Sequence, residues 1–184
     1  MTQSGADRET PLPRIVSVVG LKKTGKTTVV TALLSELRSR GYRVGSIKTT
    51  EHDGLFLDQE GTDTRRHADA GAEVVVALLP GETVRFERFP PDTGFIVSEG
   101  MAYRSASPLV VLCLRRIDEL AETLAVRGIE PGEVLAVSGV AAAGTHEGGL
   151  PGSRGLPFPV FDATDAVQRK ALADLIIKKA YPGA

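Results

Sequence analysis

Apolar positions along this chain fall into two rhythms. Short runs rich in β-branched residues alternate with stretches in which apolar residues recur every three or four positions, the pattern of a parallel sheet joined by amphipathic helices. Residues 15–19 (IVSVV) predict the first strand. In the next stretch Val30, Leu33, Leu34 and Leu37 line one helical face, Ser35 and Arg38 fall on another, and Gly41 stands where a left-handed cap would end the helix. Residues 43–48 (RVGSIK) predict a second strand that Gly45 weakens. The polar stretch 49–71 is too long for a structureless connection in a compact domain, which suggests a ligand loop, and its second half, 63–70, could form a short helix. Residues 73–79 and 83–89 flank the turn signal Pro80-Gly81-Glu82 and predict a β-hairpin.

Three further apolar runs, 95–98, 109–114 and 134–138, predict buried strands. Between the last two, Ile117, Leu120, Ala121 and Leu124 form a helical face that stops at Gly128 and Pro131. Residues 139–159 hold six glycines and three prolines and predict loop. A final helix over about 164–181 would place Val167, Ala171, Leu175 and Ile176 on one side and end at Pro182. The expected fold is α/β: a mostly parallel twisted sheet with helices on both faces and a β-hairpin extension. Residues 1–13 are expected to be a flexible polar leader, and 14–184 a single domain.

Composition narrows the function classes. The chain has 184 residues, 42% hydrophobic and 24% charged, with a net charge of −1. That balance argues against a nucleic-acid binder, which would carry a basic stripe. The longest apolar runs are six residues, far short of the roughly 20 that span a membrane, and no secretion signal is present, so a cytoplasmic protein is expected. The single cysteine, Cys113, lies within an apolar run and is read as a buried small hydrophobe.

Chemistry enters between the first strand and its helix. Gly20-Leu21-Lys22-Lys23-Thr24-Gly25-Lys26-Thr27 is a full match to GxxxxGK[ST], the phosphate-binding loop, in the strand–loop–helix setting that pattern requires. Chance gives about 0.01 such matches in a chain of this composition, so Gly20 to Thr28 is read as a nucleotide site in a P-loop NTPase fold. Gly20 and Gly25 let the backbone turn its amides onto phosphate oxygens at a helix start. Lys26 should reach the β- and γ-phosphates, Thr27 should ligate Mg2+, and Thr28 is a weaker candidate near the α-phosphate. Lys22 and Lys23 raise the local positive potential. A metal-holding carboxylate should follow a strand at the sheet's carboxyl edge. Glu99 meets that condition, whereas Asp92 lies at the opposite end of its strand. The 49–71 stretch, with Lys48 before it and Glu51, His52, Asp53, Asp58, Asp63 and His67 within it, is either a second-substrate or metal-water loop or a solvated polar loop. Its spacing fits no compact transition-metal motif.

These pieces together resemble the molybdopterin-guanine dinucleotide biosynthesis protein B (MobB) family. The resemblance rests on GLKKTGKTT, RGYRVGSIK, HDGLFLDQEGTDTRRHADAGA (52–72), VSEG (97–100), LVVLCLRR, VLAVSG and FDATD. It implies a P-loop protein that binds GTP and Mg2+ and hydrolyses GTP slowly. It also implies a homodimer and an adaptor role beside the guanylyltransferase that joins GMP to molybdopterin. By position it implies that Gly25, Lys26, Thr27 and Thr28 contact GTP and Mg2+, and that Asp58, Asp63 and Glu99 are the acidic residues near the site. The sequence departs from the family's pattern at Thr49, Gly94, Gly139, Lys22 and Lys23. The competing expectation is a small-molecule kinase using ATP, with Arg65, Arg66, Arg115 and Arg116 as candidate lid arginines. A scaffold without nucleotide binding is disfavoured by the intact loop.

Overall fold

The computed structural model describes residues 13–49, 62–78, 89–100, 109–143 and 155–183. Its centre is a six-stranded sheet: β1 (Arg14–Gly20), β2 (Val44–Thr49), β3 (Val74–Leu78), β4 (Phe95–Glu99), β5 (Leu109–Cys113) and β6 (Val134–Ser138). The spatial order is β3-β2-β4-β1-β5-β6, and every pairing is parallel. Because the strands are parallel, their carboxyl ends gather on one edge of the sheet. β1, whose end carries the glycine loop, lies between β4 and β5.

Alternation along the strands divides the core between two faces. Val16, Val18, Phe95, Val97, Leu109 and Val111 pack against α1 (Lys26–Ser39) and α4 (Ala166–Ala180). Val19, Val110, Leu112 and Val137 point the other way, toward Leu120 and Leu124 of α3 (Leu120–Arg127). Helices therefore cover both faces, as expected. A third cluster, Ile47, Val76, Leu78, Phe89 and Ile96, fills the β2–β3 side. It also explains Gly45 within β2: a Cβ there would lie 2.4 Å from the Phe89 ring, so the missing side chain is the space the ring fills.

The short helix expected in the polar stretch is α2 (Asp63–Asp69), capped by the Thr62 side chain, which accepts from Arg65 N. Two expectations change. Val167 is 76% exposed rather than on the buried face of α4, where Gln168, Leu172, Ala173, Ile176 and Ala180 are the buried positions. The 139–159 stretch is not wholly irregular, since Val140–Ala142 makes a 3-10 turn. The hairpin's turn and its second arm up to residue 88, and the leader up to residue 12, lie outside the described residues, and β3 pairs in parallel with β2. Among the described residues, no helix is long and apolar enough to cross a membrane.

Candidate functional site

The glycine loop joins β1 to α1. Gly20 has no room for a side chain, because a Cβ would lie 2.3 Å from the Cys113 carbonyl oxygen. Gly25 caps α1 in a left-handed conformation (φ 87°) and offers no side-chain acceptor, and the first turn carries no acidic residue. This contrasts with α2 and α4, which are capped by Thr62 and Asp165. The start of α1 thus leaves amides and a positive dipole end for an anion to meet.

Within the loop, Thr24 is buried and its hydroxyl donates to the Leu21 carbonyl at 3.0 Å, so that side chain shapes the loop. Lys26 Nζ donates to the same carbonyl at 2.5 Å. Burial lowers the Lys26 pKa against the pull of Glu99 in the other direction. Lys22 and Lys23 are exposed, and Lys23 holds φ 60°, a conformation otherwise taken by glycines among the described residues. Thr28 is exposed on the first turn of α1.

Thr27 faces two carboxylates. Its hydroxyl donates to Glu99 Oε1 at 2.9 Å, with Asp63 Oδ1 3.2 Å away. Glu99, the last residue of β4, is 1% exposed and has both oxygens engaged. Lys48 bonds Oε1 from the neighbouring strand, and His67 Nε2 lies 3.0 Å from Oε2. Burial alone would raise the Glu99 pKa. The His67 hydrogen bond and the Lys48 charge overcome that and lower it to about 2. An ionised carboxylate only accepts, so His67 Nε2 carries the hydrogen, while Ser46 Oγ lies 2.6 Å from Nδ1. Lys48 also reaches Asp63 Oδ2 at 2.8 Å. Burial opposes its charge, but Glu99 and Asp63 together raise its pKa.

The sequence-predicted residues Thr27, Asp63 and Glu99 thus meet at one point beside Lys26, whereas Asp58 lies outside the described residues. Asp92 is at the opposite edge, paired with Arg43. Sequence reasoning gave no role to Ser46 and counted Lys48 and His67 only among the polar side chains of a candidate ligand loop, His67 on its possible short helix. The available signal was spacing: Ser46 and Lys48 are two apart on a strand and share a face, and Asp63 and His67 are one helical turn apart.

A hydroxyl with two carboxylates is a hard oxygen donor set, and Mg2+ is held by one or two carboxylates plus phosphate oxygens and water. The residues present therefore fit a Mg2+–nucleotide complex. Among the described residues, no three His, Cys, Asp or Glu side chains are grouped to hold a metal ion by themselves.

The family model for molybdopterin guanine dinucleotide synthesis protein B, MobB, matches residues 15–99. Over that stretch the chain is similar to the MobB family. Two curated relatives agree. The putative molybdopterin-guanine dinucleotide biosynthesis adapter protein of Methanocaldococcus jannaschii is 36% identical over 73 residues, 40% of this chain and 30% of that protein. The probable adapter protein of Bacillus subtilis is 40% identical over 65 residues, 35% of this chain and 37% of that protein. The chain thus spans about a third of the length of these relatives. Among solved structures, Helicobacter pylori HypB in complex with nickel superposes with a TM-score of 0.52 at 11% identity, covering 92% of this chain and 87% of that one, a likeness of fold. The MobB stretch runs from β1 through β4 and includes Thr27, Ser46, Lys48, Asp63, His67 and Glu99.

Proposed function

We propose that this protein is a Mg2+-dependent GTP-binding adapter in molybdopterin guanine dinucleotide biosynthesis. It would work in the cytoplasm, as a homodimer, beside the guanylyltransferase that acts on molybdopterin. The observation that carries the nucleotide part is the position of the Thr27 hydroxyl between Glu99 and Asp63, on the first turn of a helix whose start has no side-chain cap. The pathway comes from the MobB match and from the names of the relatives.

In this reading the amides from Gly20 to Gly25 cradle phosphate oxygens, and Lys26 exchanges the Leu21 carbonyl for a phosphate. Thr27, Asp63 and Glu99 would hold Mg2+, which would supply positive charge to neutralise the nucleotide phosphates. Glu99 anchors rather than abstracts protons: its oxygens are occupied, and a pKa of about 2 makes it a weak base. Slow hydrolysis follows from that assignment, with Asp63 the more exposed of the two carboxylates. The kinase alternative would need arginines free to close over ATP. Of the four candidates, Arg65, Arg115 and Arg116 form surface ion pairs with Asp69, Glu119 and Asp118.

The test is equilibrium binding of GTP and ATP with and without Mg2+. GTP is expected to bind more tightly than ATP and to require the metal. Lys26→Ala is expected to lose roughly 10- to 100-fold in affinity, the worth of a charge-assisted phosphate contact. Unchanged affinity in that variant would remove the loop assignment. ATP preference with multiple-turnover phosphate transfer to a small acceptor would favour the kinase.

A further inference from the structure

Two carboxylates gathered at one hydroxyl repel each other unless a cation stands between them. Here the cation belongs to the chain. Lys48 Nζ bonds Glu99 Oε1, the oxygen that also accepts from Thr27, and lies 2.8 Å from Asp63 Oδ2. The ammonium therefore occupies the Glu99 oxygen that faces Thr27 and holds Asp63 by the oxygen next to the one that does.

The arrangement is built into the fold. Residues 48 and 99 are register partners on adjacent strands, so backbone pairing sets lysine beside glutamate. The Lys48 side chain is 18% exposed and that of Glu99 2%, unlike a surface pair whose partners wander. The second Glu99 oxygen is tied to His67, and His67 in turn to Ser46, so the carboxylate cannot rotate to offer a free oxygen without breaking that bond.

We propose that Lys48 is an internal counter-cation that masks the divalent-metal site, so that Asp63 and Glu99 accept Mg2+ only when nucleotide phosphates arrive with it. The proposal rests on the Mg2+–nucleotide assignment above and adds an order of assembly to it. Lys48 is a positioning residue. In the metal-free protein it holds α2 and β4 around Thr27, and it gives up at least one carboxylate bond when a divalent ion takes the same oxygens.

Lys48→Met keeps the aliphatic stem and removes the charge. Thermal melting of the nucleotide-free protein is followed as MgCl2 is added. The wild-type protein is expected to respond weakly across the millimolar range. Lys48→Met should melt lower without metal and then rise with Mg2+, its half-saturating concentration falling about tenfold or more because the competing charge is gone. Lys48→Arg retains the cation and should behave as wild type. With GTP present, half-saturating Mg2+ for nucleotide binding should fall in Lys48→Met by a similar factor.

A Mg2+ requirement in Lys48→Met that is unchanged or higher overturns the mask. Failure of the two ideas is separable. A wild-type protein that binds no nucleotide, beside a Lys48→Met variant that gains Mg2+ stabilisation, refutes the nucleotide assignment and leaves the mask. Normal nucleotide binding with no change in metal dependence refutes the mask alone. If Lys48→Met does not fold even with metal, Lys48→Gln, which keeps a hydrogen-bond donor without charge, decides between the same outcomes.

Discussion

Glu99 is the residue on which the site's electrostatics turn. Its folded pKa of about 2 lies below the ordinary 4.5, so its ionised form is favoured in the native state. The sign follows from linkage: the contribution is fully present above the unfolded value and is lost as pH falls toward the folded one. A difference of this size corresponds to roughly 3 kcal/mol at neutral pH, and more than half of it is gone by pH 3. Glu99→Gln should therefore be markedly less stable than wild type at pH 6 in metal-free buffer, with the deficit shrinking by pH 3. Urea unfolding at the two pH values measures this. A deficit independent of pH would mean that the carboxylate's charge contributes nothing and only its shape matters. Cys113 offers a contrast nearby. Burial pushes its thiol up to about 12 despite the opposing pull of Lys26, so it packs as a small hydrophobe, as its apolar run indicates.

At the scale of elements, what the sequence made legible was local. The strands at 95–98, 109–114 and 134–138 are apolar runs without alternation because both faces of the sheet are covered, and each appears within a residue or so of its expected bounds. The glycine loop is contiguous, so its residue types announced it. The Ser46–His67–Glu99–Lys48 cluster was not legible, because its members come from three elements that meet only through the β2–β4 pairing and the seating of α2. On α4 the expected face holds at Ile176, with Ala171 and Leu175 packed partly buried beside it, and fails only at its start, because the first buried position is polar. Gln168 goes inward, where its side-chain oxygen accepts from Asp162 N, and Val167 turns out. The corrected face has consequences. Leu172→Ala removes a fully buried side chain from the core cluster in which α4 meets α1 and β5 and should cost about 2–5 kcal/mol, whereas Val167→Ser should stay within about 0.5 kcal/mol of wild type. Chemical denaturation distinguishes them, and equal losses would return Val167 to the buried face.

At the scale of the whole molecule, the MobB match ends with β4 while the sheet does not. β1 sits between β4 and β5, so the strand carrying the glycine loop borrows one neighbour from outside the matched stretch. The loop itself leans on the later half. Val140 N donates to the Thr24 carbonyl at 3.1 Å, and Gly139 is packed so closely that a Cβ would lie 2.3 Å from that oxygen. The cluster beneath α1 likewise draws Leu109, Val111, Ala136, Phe161, Leu172 and Ile176 from beyond residue 100. A fragment ending at Gly100 would leave one edge of β1 unpaired and part of the α1 face uncovered, an aggregation-prone arrangement. We expect such a fragment to lack a cooperative unfolding transition and to bind no nucleotide, although it contains Lys26, Thr27, Asp63 and Glu99. Restoring residues 101–184 should restore both. Circular dichroism with a urea titration checks the first and equilibrium binding the second. A soluble, cooperatively folded, nucleotide-binding fragment would show that the matched stretch is a self-sufficient unit and that the later strands serve something other than the site.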